Sequence, residues 1–415
     1  MKCIIIGGGI IGLSSAYYLH KAGHEVIVID KTDMVDGCSY GNAGYVCPSH
    51  FVPMPTPGIV QMGLKWMLNA RSPFYVQPRL NWHLMNWSFK FIRSANMKQV
   101  NAAAIPLRDI ALLSQHLYEN DWAADSAFSF AYQHKGLLEI FQTEANAHHA
   151  QGSVEKARKL GLDVALLDSD ELQLLEPHTK IKALGAIFFK CDGHLYPNKL
   201  MQDMKDYLQN KVHFIYNQEV VGFETKDSRV SKVITGSGYY EADKVVLATG
   251  CWSRELAAKL KISIPMMPGR GYSLTLQDSP YRVNYPAVII EGRVAITPMD
   301  GNKIRFGGTM EITSTNSPMR MNRVEGILNA VKEVYPEFDI PLPAREQVWF
   351  GYRPCSADGL PYIGSLKNIR NCIIATGHSM LGLSLGAATG KLVSEVVDEK
   401  PTSINIEAFS PERFN

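Results

Sequence analysis

Three glycines, Gly7, Gly9 and Gly12, stand in the spacing G-x-G-x-x-G between an apolar run at 3–6 and a proline-free stretch of helical periodicity at 11–22. This arrangement suits a dinucleotide. The first glycine permits a tight turn, the second brings bare backbone up to a pyrophosphate, and the third lets helix and strand pack closely. The helix start then offers free N–H groups and the positive end of its dipole to the phosphates. Asp30 ends a second apolar strand, 26–29, and lies 18 residues beyond Gly12. An acid there accepts both ribose hydroxyls of an adenosine and disfavours a 2′-phosphate, hence NADP. Ile10, Ile11 and Lys31 fall within the same cradle. The motif opens at residue 7 with no substrate domain before it, which favours FAD over NAD.

A second chemical signal is Arg353. It ends the apolar and aromatic run VWFGY and is held by Pro354. A guanidinium is a planar fork that fits a carboxylate with two hydrogen bonds. Two readings stand side by side: a substrate carboxylate, or a structural pair with Asp358. Tyr272 sits on a strand, where it either faces a pocket or fills a core. His50 lies in a Pro-flanked loop, where it either reaches a site or is merely exposed. None of the seven cysteines has C-x-x-C spacing and their number is odd. No disulfide framework or metal site is expected, and a reducing, cytoplasmic setting is.

The elements that must position these residues are alternating strands and helices at first. Residues 3–6, 11–22 and 26–29 form a β-α-β unit, with Gly23 at the helix C-terminus. Residues 36–57 are rich in Gly, Ser, Asn and Pro and read as loop. Helices are expected at 59–68, 84–93, 105–121, 146–160, 168–175, 198–208, 324–334 and 383–397. Strands are expected at 136–142, 212–215, 220–224, 239–248, 346–352 and 372–375, with an antiparallel group at 272–276, 287–290, 294–296 and 303–306. The economical architecture is α/β, a Rossmann-like parallel sheet beside a mostly antiparallel one, with the chain passing between them more than once. A discontinuous cofactor domain is expected from 1–48, 193–225, 238–262 and 348–400. A substrate domain takes 49–192 and 263–347, and 401–415 is a tail.

At 415 residues, 46% hydrophobic and 20% charged, the chain has material for two packed domains. No apolar run is long enough to span a bilayer, and the stretch CIIIGGGIIG reads as a buried strand rather than a signal peptide. A net charge of +2 excludes nucleic-acid binding by global charge. That near-neutral total hides a local bias. Residues 37–108 contain no Asp or Glu but seven cations: Lys65, Arg71, Arg79, Lys90, Arg93, Lys98 and Arg108. The same stretch is rich in Trp, Phe and Met. Cations among large apolar side chains suit either the surface of an anionic bilayer or an ordinary domain that steers anionic substrate.

Several segments together resemble the D-amino-acid oxidase (DAO) family of FAD enzymes, and within it bacterial D-amino-acid dehydrogenases. They are the first β-α-β unit, SYGNAG (39–44), PGRGYSLTL (268–276), VAITPMDGNKIRFGGTMEI (294–312), FGYRPCSADGLPYIG (350–364) and NCIIATGHSMLGLSLGAATGKL (371–392). They occur in family order and span the chain. The resemblance implies that Ser39, Asn42, Ala43, Gly44 and Val46 line the phosphate and flavin loop. It places Val220, Ala248, Thr249, Gly250 and Trp252 near the ADP portion. Gly377, His378, Leu381, Gly382, Leu383 and Ser384 fall beside the isoalloxazine, with His378 lining the flavin rather than acting as a base. It also decides for Arg353 as the carboxylate anchor. Sarcosine oxidases of this family attach flavin to a cysteine at a position that falls here on Gly351, with Cys355 offset, so non-covalent FAD is implied.

The reaction implied is oxidative deamination of a small D-amino acid, by hydride transfer from the α-carbon to flavin N5, with electrons passing to a quinone or other acceptor. The alternative is oxidation of a secondary amine or imino acid, such as D-proline, hydroxy-D-proline or sarcosine, or of glycine. A flavin-free nucleotide-sensing scaffold would keep the glycine motif but not need Arg353. Where 379–386 reads SMLGLSLG after T-G-H, close dehydrogenases of the family tend to have G-T-L-G-W-T, which bears on substrate identity. Peripheral contact with the inner face of the cytoplasmic membrane is the expected location if the basic, apolar segment meets lipid.

Overall fold

The computed structural model describes every residue except Leu68, Ala70 and Asn415. Its first sheet has the strand order Tyr362–Ser365, Cys372–Thr376, Lys244–Leu247, Lys2–Ile6, Glu25–Ile29, His213–Ile215. All neighbours run parallel except Tyr362–Ser365, which is antiparallel to Cys372–Thr376. Residues 3–6, 26–29 and 245–247 of the central strands are apolar throughout because both faces are covered. Cys3 and Ile5 pack under the helices Ile10–Lys21 and Gly386–Val397, whereas Ile4 and Ile6 pack with Leu256 and Leu260 on the other side.

Small residues bring those two helices together. A Cβ on Gly390 would lie 2.4 Å from the Ser14 backbone, and one on Gly386 would lie 2.8 Å from Ile10. The contact holds both helix N-termini over the same end of the sheet.

The second sheet runs Trp349–Ser356, Met266–Leu276, Ile304–Ile312, Val294–Pro298, Ala287–Ile289, Leu137–Phe141, Gly185–Phe189, Val164–Asp168, with Phe74–Val76 pairing to Ile304–Ile312. It is mostly antiparallel; Ala287–Ile289 with Leu137–Phe141, and Phe74–Val76 with its neighbour, are parallel. The helix Met321–Val334 covers one face through Val324, Ile327 and Val331. The protein is therefore mixed α/β, with a parallel nucleotide-type sheet beside a mostly antiparallel one.

Several boundaries differ from expectation. The strand Trp349–Ser356 pairs along Met266–Leu276, so this part of 348–400 belongs to the second sheet. The long helix begins at Met97, not 105, because Asn96 caps it by accepting from Gln99 N–H. It carries Pro106 inside, where the lost hydrogen bond falls to the exposed carbonyl side at Ala102. Residues 239–248 divide into Gly238–Tyr240, which closes a three-stranded sheet with Val220–Lys226 and Arg229–Thr235, and Lys244–Leu247. The expected helix at 59–68 is observed as Ile59–Met67, and its last expected residue, Leu68, lies outside the described residues. The last helix starts at Gly386, after a lead-in turn, rather than at 383. The tail is anchored: Phe409 is fully buried, and Arg413 pairs with Asp358 at 2.7 and 2.9 Å.

Candidate active site

A cavity of about 1360 Å³ runs between the two sheets, from the glycine turn to Arg353 and on to the helix Ile59–Met67. It has room for a dinucleotide and a small substrate together. At one end the glycines divide their work. Gly7 has φ +106°, and a Cβ there would lie 2.6 Å from Ala248 O; on Gly12 it would lie 1.8 Å from Gly7 O. Both are required by the protein's own packing. Gly9 is not, since its Cβ would meet only Ser39 Oγ, at 3.7 Å. Its bare backbone faces the cavity instead, which suits a pyrophosphate.

The Asp30 carboxylate accepts from Gly8 N–H at 2.7 Å and from the Thr32 N–H and hydroxyl at 2.8 Å, which fixes it at the strand end. Lys31 lies over the Trp252 ring at 3.9 Å. Ile10, Ile11, Val220, Ala248, Thr249 and Gly250 line the same end. Ser39 Oγ accepts from Ile10 N–H at 3.1 Å and so joins the loop to the helix N-terminus. These groups are what an ADP moiety would need, and they fit one.

Along the loop, Asn42 and Ala43 line the cavity, whereas Gly44 and Val46 shape it from behind. Gly44 has φ +84° and packs on Leu195, and Val46 pairs with Gly193. Sequence reasoning missed what pins this loop. Arg305, buried in the second sheet, donates to the carbonyls of Tyr40 and Asn42 at 2.8 and 2.7 Å, to Asn198 and to Thr275. Burial pushes its guanidinium down to about 10. The signal was an inward-facing cation on the strand IRFGG.

Opposite lies the last loop. His378, Leu381, Gly382, Leu383 and Ser384 line the cavity. Gly377 does not; it turns the chain at φ +80°, against Tyr362. Ser384 Oγ accepts from Cys47 N–H at 2.9 Å, and Leu383 O accepts from the Tyr118 hydroxyl at 2.6 Å. The Thr389 hydroxyl donates to Leu385 O, so it accepts from His378 Nε2 at 3.0 Å. Burial pushes His378 down to about 3, which keeps its ring neutral.

Arg353 sits beyond the loop 39–44 and lines the cavity. Its Nη1 donates to the Thr309 carbonyl, and its Nη2 lies flat on Gly271, where a Cβ would intrude to 2.2 Å. Thr309 has φ +67°, a strained conformation for a β-branched residue, on the strand whose pairing with Met266–Leu276 slips between Arg270 and Tyr272. No carboxylate pairs with Arg353 among the described residues, because Asp358 is taken by Arg413. Burial lowers its pKa.

Tyr272 also lines the cavity, but its hydroxyl donates to Glu311 at 2.7 Å. Glu311, which the sequence did not single out, also holds Arg270 at 2.7 Å and Arg323 at 3.4 Å. His50 lines a different wall. Its Nδ1 lies 3.2 Å from Ser49 Oγ, which donates to Asp192 at 2.5 Å. Burial pushes His50 down to about 4 and Asp192 up to about 6. Cys47, His50 and Asp192 bring possible ligand atoms within 4.8 Å of one another. The Asp192 oxygens already accept from Ser49 N–H and hydroxyl.

Residues 2–396 match the family model described as "DAO: FAD dependent oxidoreductase". The chain is 30% identical to the D-amino acid dehydrogenase of Helicobacter pylori over 412 residues, 98% of this chain and 97% of that one. Its fold is similar to glycine oxidase from Geobacillus kaustophilus, with TM-score 0.77 and 23% identity over 100% of this chain and 98% of that one. It is also similar to L-proline dehydrogenase from P. horikoshii, with TM-score 0.75 and 20% identity over 100% and 97%. A dinucleotide cradle that fits FAD, and a family match from one end of the chain nearly to the other, lead to one conclusion: this chain belongs to the DAO family of FAD-dependent oxidoreductases.

Proposed function

We propose that the protein oxidises a small D-amino acid to its 2-oxo acid, with Arg353 holding the substrate carboxylate. One observation carries this reading. Arg353 is a desolvated cation in the cavity wall with no acid beside it among the described residues. Such a group is costly unless a ligand brings the anion. Bound FAD supplies the acceptor for the α-hydrogen as hydride. The chain's own part is positioning: Thr309 O fixes Nη1, and Gly271 leaves room for the flat guanidinium. With water and a quinone, the zwitterionic amino acid gives 2-oxo acid, ammonium and quinol. The D configuration and the quinone rest on similarity to the D-amino acid dehydrogenases.

FAD is held without a covalent bond in this reading. Cys355 is fully buried, with Sγ against Met310 Sδ at 3.8 Å, and does not line the cavity. Replacing Arg353 by Leu tests both points. The variant keeps FAD, which acid precipitation releases into the supernatant, while kcat/KM falls by the equivalent of ~2–5 kcal/mol. Arg353→Lys recovers little, because an ammonium lacks the fork. Near-normal turnover, or colour left in the pellet, contradicts the corresponding half.

A further inference from the structure

We propose that the exposed faces of the helices Ile59–Met67 and Trp82–Ser94 dock on an anionic phospholipid bilayer, seating the cavity's apolar mouth against the membrane. The helix Trp82–Ser94 is apolar on two sides. Leu84, Trp87 and Phe91 pack inward, and Trp87 Nε1 donates to Cys355 O at 2.9 Å. Trp82, Met85, Phe89 and Ile92 recur at helical spacing on an outward stripe, with Trp82 74% exposed and Phe89 65%. Leu80 just before the helix is fully exposed, and Met62 and Leu64 of the other helix are exposed as well. A soluble surface rarely gathers this much contiguous apolar area without a partner.

Charge identifies the partner. No acid occurs in 37–108. Arg71 is paired with Glu325, Arg108 with Asp109, and Lys90 with a backbone carbonyl. Lys65, Arg93 and Lys98 are exposed and have no acidic partner among the described residues. Arg79 has no partner for Nε or Nη1. Cations bordering an apolar stripe match lipid phosphates above acyl chains. The charges exclude a second copy of the same face, which would bring like charges together.

The cavity supplies the second argument. Val52, Leu64, Pro78 and Ile92 are exposed and line it at once, so they mark its mouth. Val60, Gly63, Trp66, Phe74 and Phe91 line the same cavity as Met310 and Arg353. A hydrophobic molecule dissolved in the bilayer would reach the reaction site without crossing water. This entry route rests on the quinone reading above; the membrane contact stands without it.

The test uses the FAD-loaded protein with vesicles of phosphatidylglycerol and phosphatidylcholine in equal parts. The expected result is flotation at low salt that weakens at high salt. It falls at least tenfold in Trp82→Glu/Phe89→Glu and in Lys65→Glu/Arg93→Glu/Lys98→Glu, with FAD colour and Tm retained as the check on folding. Turnover with a water-soluble dye stays unchanged in both variants, while turnover with a long-tailed quinone in the vesicles drops. Flotation unaltered by either variant overturns the proposal. So does absence of wild-type binding at low salt, or a dimer in solution that Trp82→Glu/Phe89→Glu separates. Vesicle binding without any dye-linked amino-acid turnover would instead sink the substrate reading and leave the docking surface standing.

Discussion

Asp30 and Arg353 sit at opposite ends of one cavity, and they were visible for different reasons. Asp30 was fixed by spacing, because a β-α-β unit dictates where its second strand ends. Arg353 stood out as a lone cation closing an apolar strand, but its lack of a partner was not legible. That depends on Arg413, 55 residues beyond Asp358 in sequence, taking up that carboxylate. Arg305 and Glu311 were missed for the same reason: their partners are brought together only by the sheet. His378 yields a prediction at this scale. In the unfolded chain its imidazole titrates near 6.5, and burial lowers this to about 3. Below pH 6.5 the unfolded chain therefore takes up the proton first. The stability linked to neutral His378 is complete above that pH and is lost as pH falls toward 3. At ~1.4 kcal/mol per pH unit, wild type should lose about 2 kcal/mol relative to His378→Gln between pH 7 and 5. Denaturant unfolding of both at the two pH values measures it. A constant difference would mean the ring is not buried in its neutral form.

At the scale of elements, the crossing of Ile10–Lys21 and Gly386–Val397 sets the site, since it aligns the helix start after the glycine turn with the loop 378–384, both of which line the cavity. Gly390→Ala should push these helices apart, cost ~1–3 kcal/mol and weaken FAD retention. Gly152→Ala is the matching control. It lies in the helix Glu144–Lys159 with nothing within 4 Å of its Cβ, so it should stabilise by up to ~1 kcal/mol and leave FAD bound. Tm and flavin lost on gel filtration compare the two; equal behaviour would remove the crossing from the account. The first β-α-β unit was legible because its signals are local. The strands Val164–Asp168 and Gly185–Phe189 were not, since each is short and its pairing is decided by neighbours distant in sequence. The helix through Pro106 was misread because capping by Asn96 outweighs one missing hydrogen bond.

At the scale of the whole molecule, two sheets with separate cores enclose a cavity to which both contribute, and the strand carrying Arg353 belongs to the second. The α/β class and the pairing of a parallel with an antiparallel sheet followed from the alternation of elements along the chain. The seating of the loop 39–44 under Arg305 did not, because it depends on the distance between the sheets. No helix among the described residues is long and apolar enough to cross a membrane. The central claim is that this cavity oxidises a D-amino acid. The most direct measurement is the anaerobic bleaching of the bound flavin by matched D- and L-amino acids, with cyclic secondary amines and sarcosine alongside. Rapid bleaching by small D-amino acids, with none by their L enantiomers, is the predicted result. Bleaching by secondary amines alone, or by none of these compounds, would contradict it.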